Sequence, residues 1–272
     1  MKSLSGRLRL RPYLSVFQMR FRVETQYRAA ALGGVVTQGF FALILIALYR
    51  ALYAAAPQAE SLAHTVTYVW IQQMAFRLLF SADTELAETV RTGGMAYELC
   101  RPLSPYGFYF ARAMAQKMVG CALRAVPTLL VMLLLPDGWR MAPPAGVWQL
   151  GAFFASLLAG LVCVCALDNI AMAFTIRSLD NRGITNALNL LMVTLSGNLI
   201  PLTLFPDAWQ PVLRYSPYAQ LLDAPIRIYN GLCAPGEALE RMAVQGLWAL
   251  ALVALGATMW RKNQKRKVLQ GG

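Results

Sequence analysis

Long uncharged runs of apolar residues constrain this chain more than any other feature of its sequence. Such runs occupy residues 29–48, 147–167, 184–205 and 242–260. Each is close to the roughly 20 residues that an α-helix needs to cross the hydrocarbon core of a bilayer. The composition agrees, because only 14% of the residues are charged, against about 25% in soluble domains. The runs predict transmembrane helices and an all-α polytopic membrane protein.

Two further apolar segments, residues 62–80 and 113–135, are weaker candidates because they contain polar or ionisable side chains and a proline. These are His64, Arg77, Lys117, Arg124 and Pro127. A charge at the centre of a spanning helix costs about 2.5–3.5 kcal/mol on insertion scales. We retain both segments because omitting either one disrupts the charge distribution described next. The prediction is six transmembrane helices within residues 29–260.

The 25 Lys and Arg residues are unevenly distributed about these helices. Most lie in residues 1–28, in the second and fourth connections, and in the basic tail at residues 261–272. The other side holds only a few, namely Arg50, Arg140, Arg214, Arg227 and Arg241. Lys and Arg concentrate in cytoplasmic loops, so we expect both termini to be cytoplasmic. The net charge of +12 is then a topology signal, and nucleic acid is not an expected partner.

Residues 1–28 contain an amphipathic pattern. Leu10, Leu14, Phe17 and Phe21 recur at helical spacing, which predicts a helix lying along the cytoplasmic interface of the lipid bilayer. This helix either anchors the chain to anionic lipid or transmits motion to the membrane helices. The sequence leaves both roles open.

The cytoplasmic connection at residues 83–106 concentrates charges around a glycine pair, Gly93 and Gly94. Two short helices separated by the glycines and ended by prolines are expected. The segment is either a solvated loop or a rigid element pressed against a partner. Under the second interpretation its contact residues are Asp83, Glu85, Leu86, Glu88, Val90, Arg91, Met95, Glu98 and Arg101.

Residues 197–236 follow the fifth predicted helix and are too polar to cross the membrane. Gly197 and Pro201 are expected to break that helix, and further prolines divide an aromatic-rich stretch after it. Non-helical backbone at membrane depth is tolerated only where it is buried in protein or lines a cavity. We therefore predict an outer re-entrant helical hairpin between helices 5 and 6 that caps the space between the spans.

At this point the sequence resembles the permease subunit of type-2 ABC exporters. The resemblance rests on Ser196-Gly197-Asn198-Leu199-Ile200-Pro201, then Phe205-Pro206 and Ser216-Pro217-Tyr218. It is supported by Thr92-Gly93-Gly94-Met95-Ala96-Tyr97-Glu98-Leu99-Cys100-Arg101-Pro102 in the cytoplasmic connection. With the six-helix arrangement, it covers nearly the whole chain.

The resemblance implies a bacterial plasma (inner) membrane location and a second permease chain, identical or related. It also implies two ABC ATPase subunits, identical or related, that bind ATP and Mg. Residues 1–28 then match the family's connecting helix, residues 83–101 its coupling helix, and residues 197–236 its outer hairpin. The cargo does not follow from the resemblance, although aromatic and Met residues in the spans suit an amphipathic molecule. These residues are Phe40, Phe41, Trp70, Met74, Phe153, Phe154 and Met192.

No phosphate-binding G-x-x-x-x-G-K-[ST] motif occurs in the sequence. We therefore expect this chain to be a non-catalytic permease that binds no cofactor itself and takes energy from a separate ATPase. A membrane scaffold or a channel subunit is the alternative. An integral-membrane enzyme is disfavoured, because neither paired aspartates nor an H-E-x-x-H motif is present.

Intramembrane charges and small residues complete the candidate sites. Arg77, Arg124 and Asp168 are the ionisable residues placed deepest in the spans. They form either an Arg124–Asp168 ion pair between helices 3 and 4 or a polar patch in the translocation path. Small residues in helices 1 and 5 allow close helix approach, which predicts a dimer interface or path there. Its expected residues are Val36, Phe40, Leu191, Leu195, Gly197 and Pro201.

Overall fold

The structure, a computed structural model, describes residues 10–55, 60–79, 85, 88–89, 92, 94–178, 182–198, 201–202 and 205–267. Its described part is helical and contains no strand. The helices are α1 (Leu10–Glu24), α2 (Arg28–Ala55), α3 (Leu62–Ala75), α4 (Met95–Leu99), α5 (Pro105–Met132), α6 (Val147–Ser178), α7 (Arg182–Leu195), α8 (Gln210–Tyr215), α9 (Asp223–Tyr229) and α10 (Pro235–Lys267). The prediction of an all-α chain is confirmed for these residues.

Within the described residues, three helices are long and apolar enough to cross a membrane: Ala31–Ala55, Val147–Arg177 and Pro235–Asn263. The other predicted spans differ from them. α3 and α7 each contain 14 residues, and at 1.5 Å per residue they extend about 21 Å. α5 is long enough but carries several charges. Six spans therefore remain a prediction, as does the re-entrant hairpin.

The end of α7 agrees with the expected helix break. α7 ends at Leu195, and Gly197 adopts a φ of +83°. Residues with a side chain rarely adopt this left-handed conformation, whereas glycine does so at little cost. The chain can therefore leave the helix sharply at this point. Pro127, in contrast, is accommodated inside α5.

α6 is the centre of the bundle. It packs most extensively against α10 and also contacts α5, α7 and α9. α2 contacts α3 and α5 on the other side of the bundle. The hydrophobic core between these elements buries Trp70 of α3 and Leu222, which precedes α9. α7 lies at the periphery and packs only lightly, against α6.

Buried polar side chains connect the central helices. The amide of Gln245 in α10 donates to the carbonyl oxygens of Ser156 (3.2 Å) and Gln220 (2.6 Å) and accepts a bond from Ser156 Oγ. Trp260 Nε1 donates to the carbonyl oxygen of Asn169 at 2.8 Å. Because a buried amide is costly unless its hydrogen bonds are made, these contacts fix the register between α6 and α10.

α1 lies across the first turns of α5, and we call this the α1 end of the bundle. Tyr13 packs against Gly107, and its hydroxyl accepts a hydrogen bond from the Ser104 backbone. Val16 is buried, whereas Leu10 and Leu14 are exposed. An exposed apolar stripe on a helix beside the spans is what an interfacial helix presents to lipid. The amphipathic helix is thus present within residues 1–28, and its two proposed roles stay open.

Candidate functional site

The short segment before α5 holds the residues predicted to contact an ATPase. Glu85 bridges α1 and α5, because its carboxylate pairs with Arg112 and lies 3.7 Å from Arg20. Its contacts therefore lie within this chain and tie the segment to the bundle. The predicted residues Asp83, Leu86, Val90 and Arg91 lie outside the described residues.

The predicted role of Met95 as an anchor in the ATPase needs correction. Met95 is buried against the chain's own core, in a cluster with Val16, Phe108 and Trp260. The residue that projects outward from α4 is Tyr97, whose surface is 81% exposed. Positions two apart on a helix differ by about 200° in direction, so α4 turns Tyr97 outward when it buries Met95. An aromatic residue in a charged loop is the signal that sequence reasoning missed.

Glu98 and Arg101 form an ion pair of 3.1 Å beside Tyr97. The guanidinium of Arg101 also lies 5.0 Å from the centre of the Phe108 ring. The pair is three residues apart and partly exposed, so it contributes little stability of its own. Together with Tyr97 it gives the α1 end an exposed surface that combines an aromatic ring with charges of both signs. We call Tyr97, Glu98 and Arg101 the α4 surface.

The opposite end of the bundle carries a buried carboxylate. Asp223, the first residue of α9, accepts a hydrogen bond from the Tyr68 hydroxyl (3.4 Å), which also lies 3.2 Å from the Gly197 carbonyl oxygen. Burial raises the pKa of Asp223 to about 6, against the opposing effect of the nearby Arg227 and Arg241 guanidinium groups. Tyr68 thus connects the break after α7 to the start of α9.

Three arginines that the sequence assigned only to the outer side come together around this carboxylate. Arg214, Arg227 and Arg241 line a cavity of about 420 Å³ with Asp223 and Glu237. Ion pairs connect these elements: Arg214 with Glu240 joins α8 to α10, Arg241 with Asp223 (4.0 Å) joins α10 to α9, and Arg227 with Glu60 joins α9 to the segment before α3. The acidic residues in the same segments were the signal for this cluster, which fastens α8 and α9 to α10.

The expected Arg124–Asp168 pair is wrong. Asp168 pairs instead with Lys117, with Nζ and Oδ2 3.0 Å apart and both side chains almost fully buried. Lys117 Nζ also donates to the Leu79 carbonyl oxygen at 2.8 Å. Arg124 lies seven residues beyond Lys117, which is about 10 Å along α5. Its guanidinium packs against Gly34 of α2.

The residues predicted for a dimer interface fall into two groups. Val36 and Phe40 of α2 are 74% and 63% exposed, and Leu191 of α7 is also exposed. Leu195 is half-buried against a small cluster that includes Leu202. Gly197 and Pro201 are buried. Gly197 shapes the turn after α7, and the assignment of Gly197 and Pro201 to a translocation path or dimer interface stays a prediction.

An apolar cavity of about 500 Å³ lies between α3, α5 and α6. Its wall includes Met74, Met118, Phe153 and Phe154, three of which lie among the aromatic and Met residues that suggested amphipathic cargo. Trp70 and Met192, from the same group, are fully buried core residues. The cavity offers a surface for an alkyl chain.

Comparison with known families agrees with this architecture. Residues 37–271 match a family described as ABC-2 family transporter protein. The chain belongs to the ABC-2 transporter family. It is therefore a membrane protein of the permease type, and the resemblance found in its sequence motifs is confirmed. No curated protein matches the chain significantly.

Family membership gives the two ends of the bundle their context. ABC-2 permeases generally work with a separate ATPase subunit, and the permease itself is generally non-catalytic. In such a protein the functional surfaces are those that meet the ATPase, a second permease and the cargo. The α4 surface, the exposed faces of α2 and α7, and the two cavities are the candidates that the described residues provide.

Proposed function

We propose that this chain is the membrane permease of an ATP-driven exporter in the bacterial inner membrane, with both termini in the cytoplasm. The observation that carries the proposal is the match to the ABC-2 family over residues 37–271. A separate ATPase would supply the energy, because permeases of this family generally work with an ATPase subunit. The apolar cavity between α3, α5 and α6 favours an amphipathic cargo.

In this proposal the α4 surface is the contact for the ATPase. Tyr97 is the natural anchor, because exposed aromatic residues dominate the energetics of many protein interfaces. Glu98 and Arg101 would then form the charged rim around it. Glu85, being engaged with Arg20 and Arg112, would hold the segment rigid against α1 and α5. Force from the ATPase would thereby reach α5 directly.

A second permease chain would pack against α2 and α7. The exposed side of α2 includes Leu32, Val36, Phe40, Ile44 and Leu48, which recur every four residues and therefore wind gradually around the helix. Two such faces could meet in the membrane through close van der Waals packing. The cavity for cargo would then lie between the two chains, with residues 197–236 closing it from outside.

The test is a co-purification experiment with the ABC ATPase of the same organism, co-expressed with the full-length chain. We expect the parent to retain the ATPase and to stimulate its ATP hydrolysis, and Tyr97→Ala to weaken both by about tenfold or more. Trp209→Ala is the matched control, since Trp209 is an exposed aromatic residue at the other end of the bundle.

If the parent retains no ATPase, the permease assignment loses its partner and the scaffold or channel interpretation gains support. If the parent retains the ATPase and Tyr97→Ala behaves like Trp209→Ala, the assignment stands but the contact lies elsewhere. The two failures are therefore distinguishable.

A further inference from the structure

Two arginines in the membrane region face each other without an acidic partner. Arg77 follows α3, and Arg124 lies in α5. Their guanidinium groups are close enough to interact electrostatically. The described carboxylates near this part of the bundle are committed elsewhere, since Asp168 pairs with Lys117, and Glu85 with Arg112. Within the described residues, neither Arg77 nor Arg124 forms an ion pair.

Glycines on two helices make room for both side chains. A β-carbon placed on Gly34 would lie 2.8 Å from Cζ of Arg124, and one placed on Gly120 would lie 2.6 Å from Cγ of Arg77. Gly120 is one turn before Arg124 on α5, and side chains in a helix lean toward its N-terminus. Both guanidinium groups therefore occupy one pocket beside this turn, between α2 and α5.

The position of this pocket along α2 indicates its depth in the membrane. Gly34 lies six residues after Arg28, the first residue of α2, which is about 9 Å along the helix. Arg124 points toward the α1 end, which the basic residues predict to be cytoplasmic. Long cationic side chains extend in this way to bring their charge toward the polar boundary of a membrane. With the predicted orientation, this position along α2 indicates that the two charges lie in the inner half of the membrane.

Two like charges at this depth require a counter-ion. Charged residues within a membrane are expensive, and they are retained where they pair or bind. A phosphate group suits two guanidinium groups better than a carboxylate does. It offers more acceptor oxygens, so each planar fork can bind two of them.

We propose that Arg77 and Arg124 together bind one phosphate group, carried by a phospholipid of the inner leaflet or by a phosphate-bearing cargo. The lipid source is independent of the transport function. The cargo source rests on that function. Both sources share the recognition chemistry, so the experiment below separates them by probe. The glycines at positions 34 and 120 keep the pocket open for this group.

The test uses the full-length chain in micelles of dodecyl maltoside, a detergent without phosphate, with increasing amounts of phosphatidylglycerol. The measurement is thermal unfolding together with the count of phosphatidylglycerol molecules that stay bound after purification. We expect phosphatidylglycerol to raise the unfolding temperature of the parent. Arg77→Gln and Arg124→Gln should weaken its apparent binding about tenfold, as expected for the loss of a charge-assisted contact. In the detergent alone both variants should be at least as stable as the parent, because each removes an unpaired charge.

Gly34→Ala is a second variant that keeps both arginines. It displaces only the flexible end of Arg124, and we expect it to weaken phosphatidylglycerol binding. Gly33→Ala is its matched control, because a β-carbon at Gly33 has no neighbour within 4 Å. A structural role alone would not distinguish these two glycines by their response to phosphatidylglycerol.

Soluble glycerol 3-phosphate is the second probe. Protection by this compound in the phosphate-free detergent, lost in the arginine variants, would assign the site to a free or cargo phosphate. Protection by phosphatidylglycerol alone would assign it to lipid. If neither probe protects the chain, the proposal is overturned. It is equally overturned if phosphatidylglycerol protects the parent and all variants alike, since the basic residues of α1 and the tail would then account for the effect.

Discussion

The buried pair between Lys117 and Asp168 makes a sharp prediction about stability. Only 3% of the Lys117 side chain and 1% of the Asp168 side chain are exposed. Lys117 Nζ also donates to the Leu79 carbonyl oxygen. The pair therefore joins α5 to α6 and to the end of α3. Because the pair is buried, each charge is stabilised mainly by its partner.

The expected magnitude follows from this burial. Removing one partner of a buried pair leaves an uncompensated charge and costs about 3–5 kcal/mol. Asp168→Asn and Lys117→Met should each lower the free energy of unfolding by about this amount. Replacing a whole buried pair with uncharged residues is often close to neutral. The double variant should therefore be more stable than either single variant, and the two effects should be strongly non-additive.

Reversible unfolding of the detergent-solubilised chain in sodium dodecyl sulfate, followed by helical circular dichroism, measures these free energies. Asp137→Asn is the control, because it breaks an exposed pair with Arg140 and should cost less than about 1 kcal/mol. If the single and double variants add within about 0.5 kcal/mol, the two side chains do not act as a pair. The reasoning from burial would then be refuted.

Three further predictions concern the outer segment and the dimer. Gly197→Ala should destabilise the chain by about 1–3 kcal/mol, because Gly197 has a φ of +83°, a backbone conformation that is strained for any residue with a side chain. Gly183→Ala should not destabilise it, because the space around Gly183 is open. Burial raises the pKa of Asp223 from 3.8 to about 6. At a pH between these two values, the folded chain therefore keeps a proton on Asp223 that the unfolded chain has lost. Its stability should fall as the pH rises through this window, and Asp223→Asn should flatten the fall in unfolding experiments from pH 3.5 to about 7. In a background without the native cysteines, Phe40→Cys should cross-link two permease chains. Ala42→Cys should not, because Ala42 is a fully buried position of the same helix. Equal cross-linking of the two variants would place the interface elsewhere.

Three of the four uncharged apolar runs predicted helices of spanning length. Residues 29–48, 147–167 and 242–260 each lie within a helix that is long and apolar enough to span. The fourth run, residues 184–205, is longer than any of these, yet its helix α7 ends at Leu195, so the length of an apolar run does not by itself determine the length of its helix. The shorter helices α3 and α7 depend on tertiary packing and on the turn at Gly197, which no run of apolar residues reveals. The number of spans could therefore be predicted only through the charge distribution.

The errors at individual sites have one physical origin. Sequence position gives depth along a helix to within a turn, but it does not give the direction in which a side chain points. Sequence position alone pairs Arg124 with Asp168, because both residues are expected at a similar depth in the membrane. In the structure it is Lys117 that lies at the same depth as Asp168. Met95 and Tyr97 are two residues apart, so one of them had to face inward. Only the packing of α4 against Val16 and Trp260 decides which.

The polar contacts divide the chain into a firmly connected part and a loosely connected one. Gln245 binds α10 to α6 and to the backbone at Gln220, and the arginine cluster fastens α8 and α9 to α10. α7 packs only lightly, against α6, and the chain just after its end is held through the carbonyl of Gly197 to Tyr68. A conformational change that opens a dimer along α2 and α7 would therefore carry α6, α9 and α10 as one body. The displacement would concentrate where Tyr68 meets Gly197, because that contact joins α3, the end of α7 and Asp223.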